Sequence, residues 1–186
     1  MINAETRAQI ISLINKEVVP AVGCTEPMAV ALCAAKAAEV LGCRPQKVRA
    51  QLSANILKNA MGVGIPGTGM IGLPIAIALG TLIGKSEYQL EVIKDLTPET
   101  LEEGKAFIKE QRITILRKSN IEEKLYIEVE SSTETSKETV IISCAHTNIV
   151  YVEKDGNVLL DNRTTRSEAC EQKDISLDLK LVYDFA

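Results

Sequence analysis

Ile10, Ile11, Leu13, Ile14 and Val18 recur at helical intervals within residues 4–18, with polar residues between them. That period predicts an amphipathic helix, ended by Pro20 and Gly23. A second helix is predicted next. Thr25 can cap it, and Pro27 suits its first turn, where a missing N–H costs nothing. It runs to Leu41, with Gly42 as its stop. Ala29, Ala31, Ala34, Ala35, Ala37 and Ala38 make this helix thin enough for close packing. The period then changes to two. In KVRAQLSANIL, Val48, Ala50, Leu52, Ala54 and Ile56 alternate with polar residues, which predicts a half-buried strand reaching Lys58. A Gly-rich loop and a helix over roughly 71–83 follow.

Beyond residue 88, YQLEVI reads as a strand and TPETLEEGKAFIKEQR as a helix capped by Thr97, with Pro98 at its first position. ITILRK, KLYIEVES and ETVIISCAHTNIVYVEKDGNVLL read as strands, the last folding back at Asp155-Gly156-Asn157. SSTETSKE reads as a polar turn. The expected fold class is α+β: N-terminal helices with a Gly-rich loop, then a small sandwich-like segment of mostly antiparallel strands.

Charge follows the same division. Residues 1–86 carry eight Lys/Arg against four Glu, and residues 87–186 carry thirteen against twenty-one Asp/Glu. Three stretches are expected on this basis: 1–86, an α+β segment over 87–162, and a tail of uncertain structure over 163–186. The chain has no Trp and only 3% aromatic residues, so a base-stacking nucleic-acid platform is not expected. No charge lies between Lys58 and Lys85, but Gly62, Gly64, Pro66, Gly67, Gly69, Gly72 and Pro74 would break a membrane-spanning helix there. Five cysteines at irregular spacing, with no leader-like N-terminus, favour reduced thiols and a cytoplasmic protein.

Three places carry candidate chemistry. Cys24 stands at the predicted start of a helix, a setting that lowers a thiol's pKa and favours the metal-binding or nucleophilic thiolate. The competing reading is a small buried hydrophobe. Asn55, Lys58 and Asn59 cluster before a Gly-rich loop whose backbone N–H groups, with Gly67 and Thr68, suit a small carboxylate. The alternative there is a tightly packed turn. Cys144 and His146 are two apart in a predicted strand and so share a face. For His146, the chain's single histidine, a structural or ligand-orienting role is favoured over a nucleophilic dyad. Cys33, inside the alanine-rich helix, reads as core.

VGCTEPMAVALCAAKA, NILKNAMGVGIPGTG and SCAHTNIVYVEKDG, in this order, resemble the L-cysteine desulfidase family, which is related to the alpha chain of iron–sulfur L-serine dehydratase. The resemblance covers nearly the whole chain. It implies a cytoplasmic [4Fe–4S] lyase that eliminates hydrogen sulfide from L-cysteine, or water from L-serine, to give pyruvate and ammonia. It makes Cys24 a cluster ligand. It places the substrate carboxylate at Asn55, Lys58, Asn59, Gly67 and Thr68, with His146 and Asn148 bordering the pocket; the catalytic base is not identified. Family members are longer, with further cluster cysteines beyond the region matched here. The chain is therefore expected to be an N-terminal portion, inactive alone and binding no stable cluster by itself. The expected partner is a small amino acid, with neither nucleic acid nor membrane, and homo-oligomerisation is left open. The alternative is a non-catalytic amino-acid-binding, regulatory or oligomerisation module.

Overall fold

A computed structural model describes residues 2–83, 85–163 and 178–185. Helix α1 (Ala4–Glu17) starts at Asn3, whose side chain accepts from the Thr6 backbone N–H. Helix α2 (Thr25–Leu41) ends at Gly42, in the left-handed conformation that glycine adopts without a Cβ penalty. Strand β1 (Lys47–Leu52), the short helix α3 (Ala54–Ala60), the paired β2 (Gly64–Ile65) and β3 (Met70–Ile71), and helix α4 (Leu73–Ile83) follow. A 3-10 turn over Ser86–Glu91 leads to α5 (Pro98–Lys109). Strands β4 (Ile113–Arg117), β5 (Tyr126–Ser132), β6 (Lys137–Ser143), β7 (Ile149–Lys154) and β8 (Asn157–Asp161) precede α6 (Leu179–Phe185).

The main sheet has six strands in the order β4-β1-β5-β6-β7-β8. Only β1 and β4 run parallel; the other neighbours are antiparallel. The parallel pair needs a long crossover, and α3, α4 and α5 supply it. Helix α2 is buried over most of its length, between the sheet on one side and α4 on the other, with Lys36 and Glu39 paired on its open side. Helix α5 then packs on α4. The Lys154 ammonium donates to the carbonyls of Val40 (2.8 Å) and Leu41 (3.1 Å), closing the C-terminal end of α2 onto β7. The α+β class is as expected.

Three local expectations change. The strand predicted to reach Lys58 stops at Leu52, because the Ser53 side chain accepts from the Ile56 backbone N–H and starts α3. YQLEVI forms no strand: Gln89 takes a positive φ of 50°, while Leu90, Val92 and Ile93 are buried against the helices. The division at Ser86 does not separate two cores. Strand β1 lies between β4 and β5, and a single cluster takes residues from Met28 through Val152. Residues 164–177 of the tail lie outside the described residues. None of the described helices is long and apolar enough to cross a membrane.

Candidate functional site

Cys24 is itself the N-cap of α2, and Thr25 is the first helical residue. Glu26 follows in the first turn, where the positive end of the helix favours a carboxylate. Its two oxygens collect three side-chain donors. The Cys24 thiol lies 3.0 Å from Oε2, the Thr25 hydroxyl 3.2 Å from Oε2, and the Asn59 amide 3.2 Å from Oε1. The Cys24 hydrogen bond leads the causes that hold the Glu26 carboxyl below its ordinary range. Cys24 is shifted upward, first by burial and then by the hydrogen bond to Glu26. This reverses the expected lowering of the Cys24 pKa: the neighbouring carboxylate and desolvation outweigh the helix end, so the resting sulfur keeps its proton.

Asn55, Lys58 and Asn59 lie on α3 rather than on a strand, at a spacing that puts them on one exposed helical face. Of the three, Asn59 reaches the start of α2, through Glu26. The Gly-rich loop forms the β2–β3 hairpin, turned at Gly67 (φ 76°) and Gly69 (φ 64°). Thr68 is buried. Its hydroxyl donates to the Ile65 carbonyl at 2.7 Å and accepts from the Met70 backbone N–H at 3.0 Å, so it shapes the turn. A Cβ on Gly23 would stand 2.9 Å from the Pro66 ring, which shows how closely the hairpin packs against the chain entering α2.

Beside the hairpin is an open cleft of about 480 Å³. Val22, Pro66, Ile93, Leu96 and Leu101 line it with apolar surface, and Gly67 contributes backbone. Its polar members are Lys94 and Thr97. Thr97 caps α5 reciprocally with Thr100. The Lys94 ammonium stands 3.5 Å from the centroid of the Tyr88 ring. The sequence reading named Gly67 as a site residue and Thr97 only as a helix cap, and it missed Lys94.

His146 and Asn148 lie in the loop between β6 and β7, and Cys144 follows the strand end with φ 71°. Cys144 and His146 therefore do not share a strand face. The Asn148 amide donates to the Ser143 carbonyl at 3.0 Å and fixes the loop. The loop sits at the end of the sheet where α3 begins: the Ser143 hydroxyl donates to Leu125, and the Ser53 hydroxyl to Lys124. Among the described residues no hydrogen bond joins His146 or Asn148 to Asn55, Lys58 or Asn59. Cys33 is core, as expected; its thiol faces the Val140 carbonyl at 3.4 Å.

No protein-family model matches the chain, and no solved structure matches it. Curated relatives do. The chain is 62% identical over 186 residues to a UPF0597 protein of Phocaeicola vulgatus, covering 100% of this chain and 43% of that protein. It is 61% identical over 186 residues to a UPF0597 protein of Bacteroides thetaiotaomicron, with the same coverage. Against a UPF0597 protein of Clostridium perfringens it is 42% identical over 180 residues, 97% of this chain and 42% of the relative. The chain thus spans less than half the length of the curated relatives it matches.

These findings correct the expected identity. High-identity relatives along the whole chain carry the name UPF0597, and none of those names mentions cysteine desulfidase. Nor do they indicate a [4Fe–4S] lyase, so the expected elimination from L-cysteine or L-serine is set aside, and with it the iron–sulfur character. Among the described residues, no group of three or more His, Cys, Asp or Glu side chains could hold a metal ion. The assignment of Cys24 as a cluster ligand rested on the resemblance, and its hydrogen bond to Glu26 gives it a different local role.

Proposed function

We propose that this chain binds a small organic anion with an apolar body in the cleft beside the Gly67 hairpin. The observation that carries the reading is the lining: apolar side chains form its walls, and an exposed ammonium, Lys94, stands among them. About 480 Å³ falls within the range of small-ligand sites, which pair mostly apolar walls with a few polar groups. The apolar body packs on Ile93, Leu96 and Leu101. The anionic end meets Lys94 and the Thr97 hydroxyl. Lys94 keeps N–H donors for an anion while its charge is supported by the Tyr88 ring. The hydrogen bonds of Glu26 to Cys24 and Asn59 hold the start of α2 and the end of α3 together, which steadies the ground on which the hairpin rests.

Calorimetric titration with straight-chain monocarboxylates from butanoate to octanoate tests the reading. Affinity is expected to rise with chain length, by up to about 0.8 kcal/mol for each buried CH₂. Lys94→Gln should weaken carboxylate binding about 10- to 100-fold, the worth of a charge-assisted hydrogen bond, and leave the matching primary alcohols unaffected. Equal carboxylate affinity in wild type and Lys94→Gln, or no saturable binding, overturns it.

A further inference from the structure

Three polar side chains stand in a row on the core face of the main sheet. Ser131 on β5 pairs across with Glu138 on β6, and Glu138 with Lys154 on β7. They share that face with Val129, Val140 and Val152, two residues along each strand, and α2 packs over it. Glu138 is only 1% exposed, and neither its oxygens nor the Ser131 hydroxyl has a hydrogen-bond partner. A carboxyl in that position is costly once it ionises. The Lys154 ammonium is turned elsewhere, to the carbonyls of Val40 (2.8 Å) and Leu41 (3.1 Å), which the end of a helix leaves without donors. Yet Glu138 lies within its reach. The Asp155 N–H donates to the Lys137 carbonyl, so the next pair, Glu138 and Lys154, is of the non-hydrogen-bonded kind, whose side chains stand closest, with Cβ atoms about 4.5–5.5 Å apart. No other cation faces Glu138. Strand β5 presents Ser131. Helix α2 presents the protonated Cys33 thiol, while its Lys36 and Glu39 pair with each other on its open side and Glu26 lies at its start. Lys137 points to the opposite face, where it pairs with Glu130.

We propose that Glu138 and Lys154 form a proton-operated latch on the C-terminal end of α2. With Glu138 protonated, Lys154 caps Val40 and Leu41, and the last turn of the helix is held against β7. When Glu138 gives its proton to solvent, a bare carboxylate is left in the core. It draws the ammonium across the strand pair, over a distance that the flexible lysine stem spans, and solvent screens a buried pair little. Val40 and Leu41 lose their donor, and the helix frays back from Gly42. The latch is closed at low pH and open at high pH. Burial pushes the Glu138 carboxyl up to about 8, against the smaller pull of Ser131 and Lys154, so the change falls at neutral to mildly alkaline pH. This device is separate from the cleft, whose lining includes none of the three residues.

An NMR titration of the whole chain across pH 5 to 9.5 tests the latch, with carbon-13 at the glutamate carboxyls and nitrogen-15 at the amides. The Glu138 carboxyl, identified by its loss in Glu138→Gln, is expected to titrate near pH 8. The amides of Leu41, Gly42 and Cys43 should shift with the same midpoint. The Gly42 N–H, which donates to the Ala38 carbonyl at 3.0 Å, should lose exchange protection above it, after correction for the base-catalysed intrinsic rate. Two variants separate a moving lysine from the mere field of a carboxylate. In Glu138→Gln the three amides should keep their latched positions at every pH. In Lys154→Met they should stand away from those positions already at pH 5, and the carboxyl midpoint should rise, because no ammonium meets the charge. Amides that hold still while the wild-type carboxyl titrates overturn the latch. So do amides that keep their latched positions at pH 5 in Lys154→Met, amide shifts that persist in Glu138→Gln, or a wild-type carboxyl that does not titrate in this range.

Discussion

Gly80 on α4 lies against the backbone of Ala31 on α2, so closely that a Cβ at Gly80 would stand 2.2 Å from the Ala31 carbonyl oxygen. The small residues read from the sequence as a thin helix are used here, where two buried helices meet. Helix propensity favours alanine over glycine by about 1 kcal/mol. Packing opposes it: the obstruction is backbone and cannot turn aside. Gly80→Ala is therefore expected to destabilise the fold by about 1–3 kcal/mol or more, the usual cost of overpacking. Gly104→Ala is the contrast. Its added methyl meets only the ends of the Leu79 and Ile75 side chains, at 3.2 and 3.3 Å. Urea unfolding should show a clear loss for the first and a change near zero for the second.

Glu138 predicts a pH dependence. It is buried in β6, opposite Ser131 on β5 and Lys154 on β7, and neither carboxyl oxygen has a hydrogen-bond partner. Cys33 on α2 is near enough to feel its charge. Burial raises the Glu138 carboxyl from its ordinary 4.5 to about 8, against smaller opposing effects of Ser131 and Lys154. The folded state thus holds this proton more tightly than the unfolded state. Stability from the group is full below about pH 4.5 and is lost as pH rises toward 8. The slope in that window approaches about 1.4 kcal/mol per pH unit. Glu138→Gln should flatten it. Equal slopes for wild type and variant in urea melts from pH 5 to 8 would exclude Glu138 as the source.

Cys24 and Glu26 predict a change in thiol reactivity. The Glu26 carboxylate helps keep the proton on sulfur. Glu26→Gln removes the negative charge but keeps an oxygen that can accept, so the Cys24 pKa should fall. Alkylation by iodoacetamide at pH 7.5, read at Cys24 by peptide mapping, should become several-fold faster, because the thiolate is the reactive form. A slower or unchanged rate would mean that burial alone sets the shift.

The sequence placed elements whose signals are local. The second helix was bounded at Leu41 by Gly42, the fifth was marked by Thr97 and Pro98, and the last hairpin by Asp155-Gly156; all three stand in the structure. It failed where one local signal competed with another. In KVRAQLSANIL the alternation continued past Ser53, but the serine's capping bond won and turned Asn55, Lys58 and Asn59 onto a helix. Tertiary juxtaposition was not legible either. Glu26 meets Asn59 from 33 positions away, and the cleft joins Val22, Pro66 and Leu101 from three separate segments. The family resemblance named Cys24 from a motif; the hydrogen bond that governs its chemistry comes from a glutamate two residues on.

Two glycines with nearly equal backbones separate strain from shape. Gly42 has φ 79° and Gly67 has φ 76°, both in the left-handed region that a side chain disfavours. Around Gly42 a Cβ would meet nothing within 4 Å, whereas at Gly67 it would stand 3.2 Å from Cδ2 of Leu96. Gly42→Ala should therefore cost only the conformational penalty, about 1 kcal/mol, and leave the cleft intact. Gly67→Ala should cost a similar amount and also push Leu96, a wall of the cleft. Its effect on stability should be close to that of Gly42→Ala, since the Leu96 side chain can shift. Its effect on octanoate binding should be larger, a loss of several-fold against none for Gly42→Ala. Melting curves and calorimetric titrations of both variants give the comparison. Equal affinities in the two would mean that Leu96 does not contact the bound chain, and would move the ligand away from that wall.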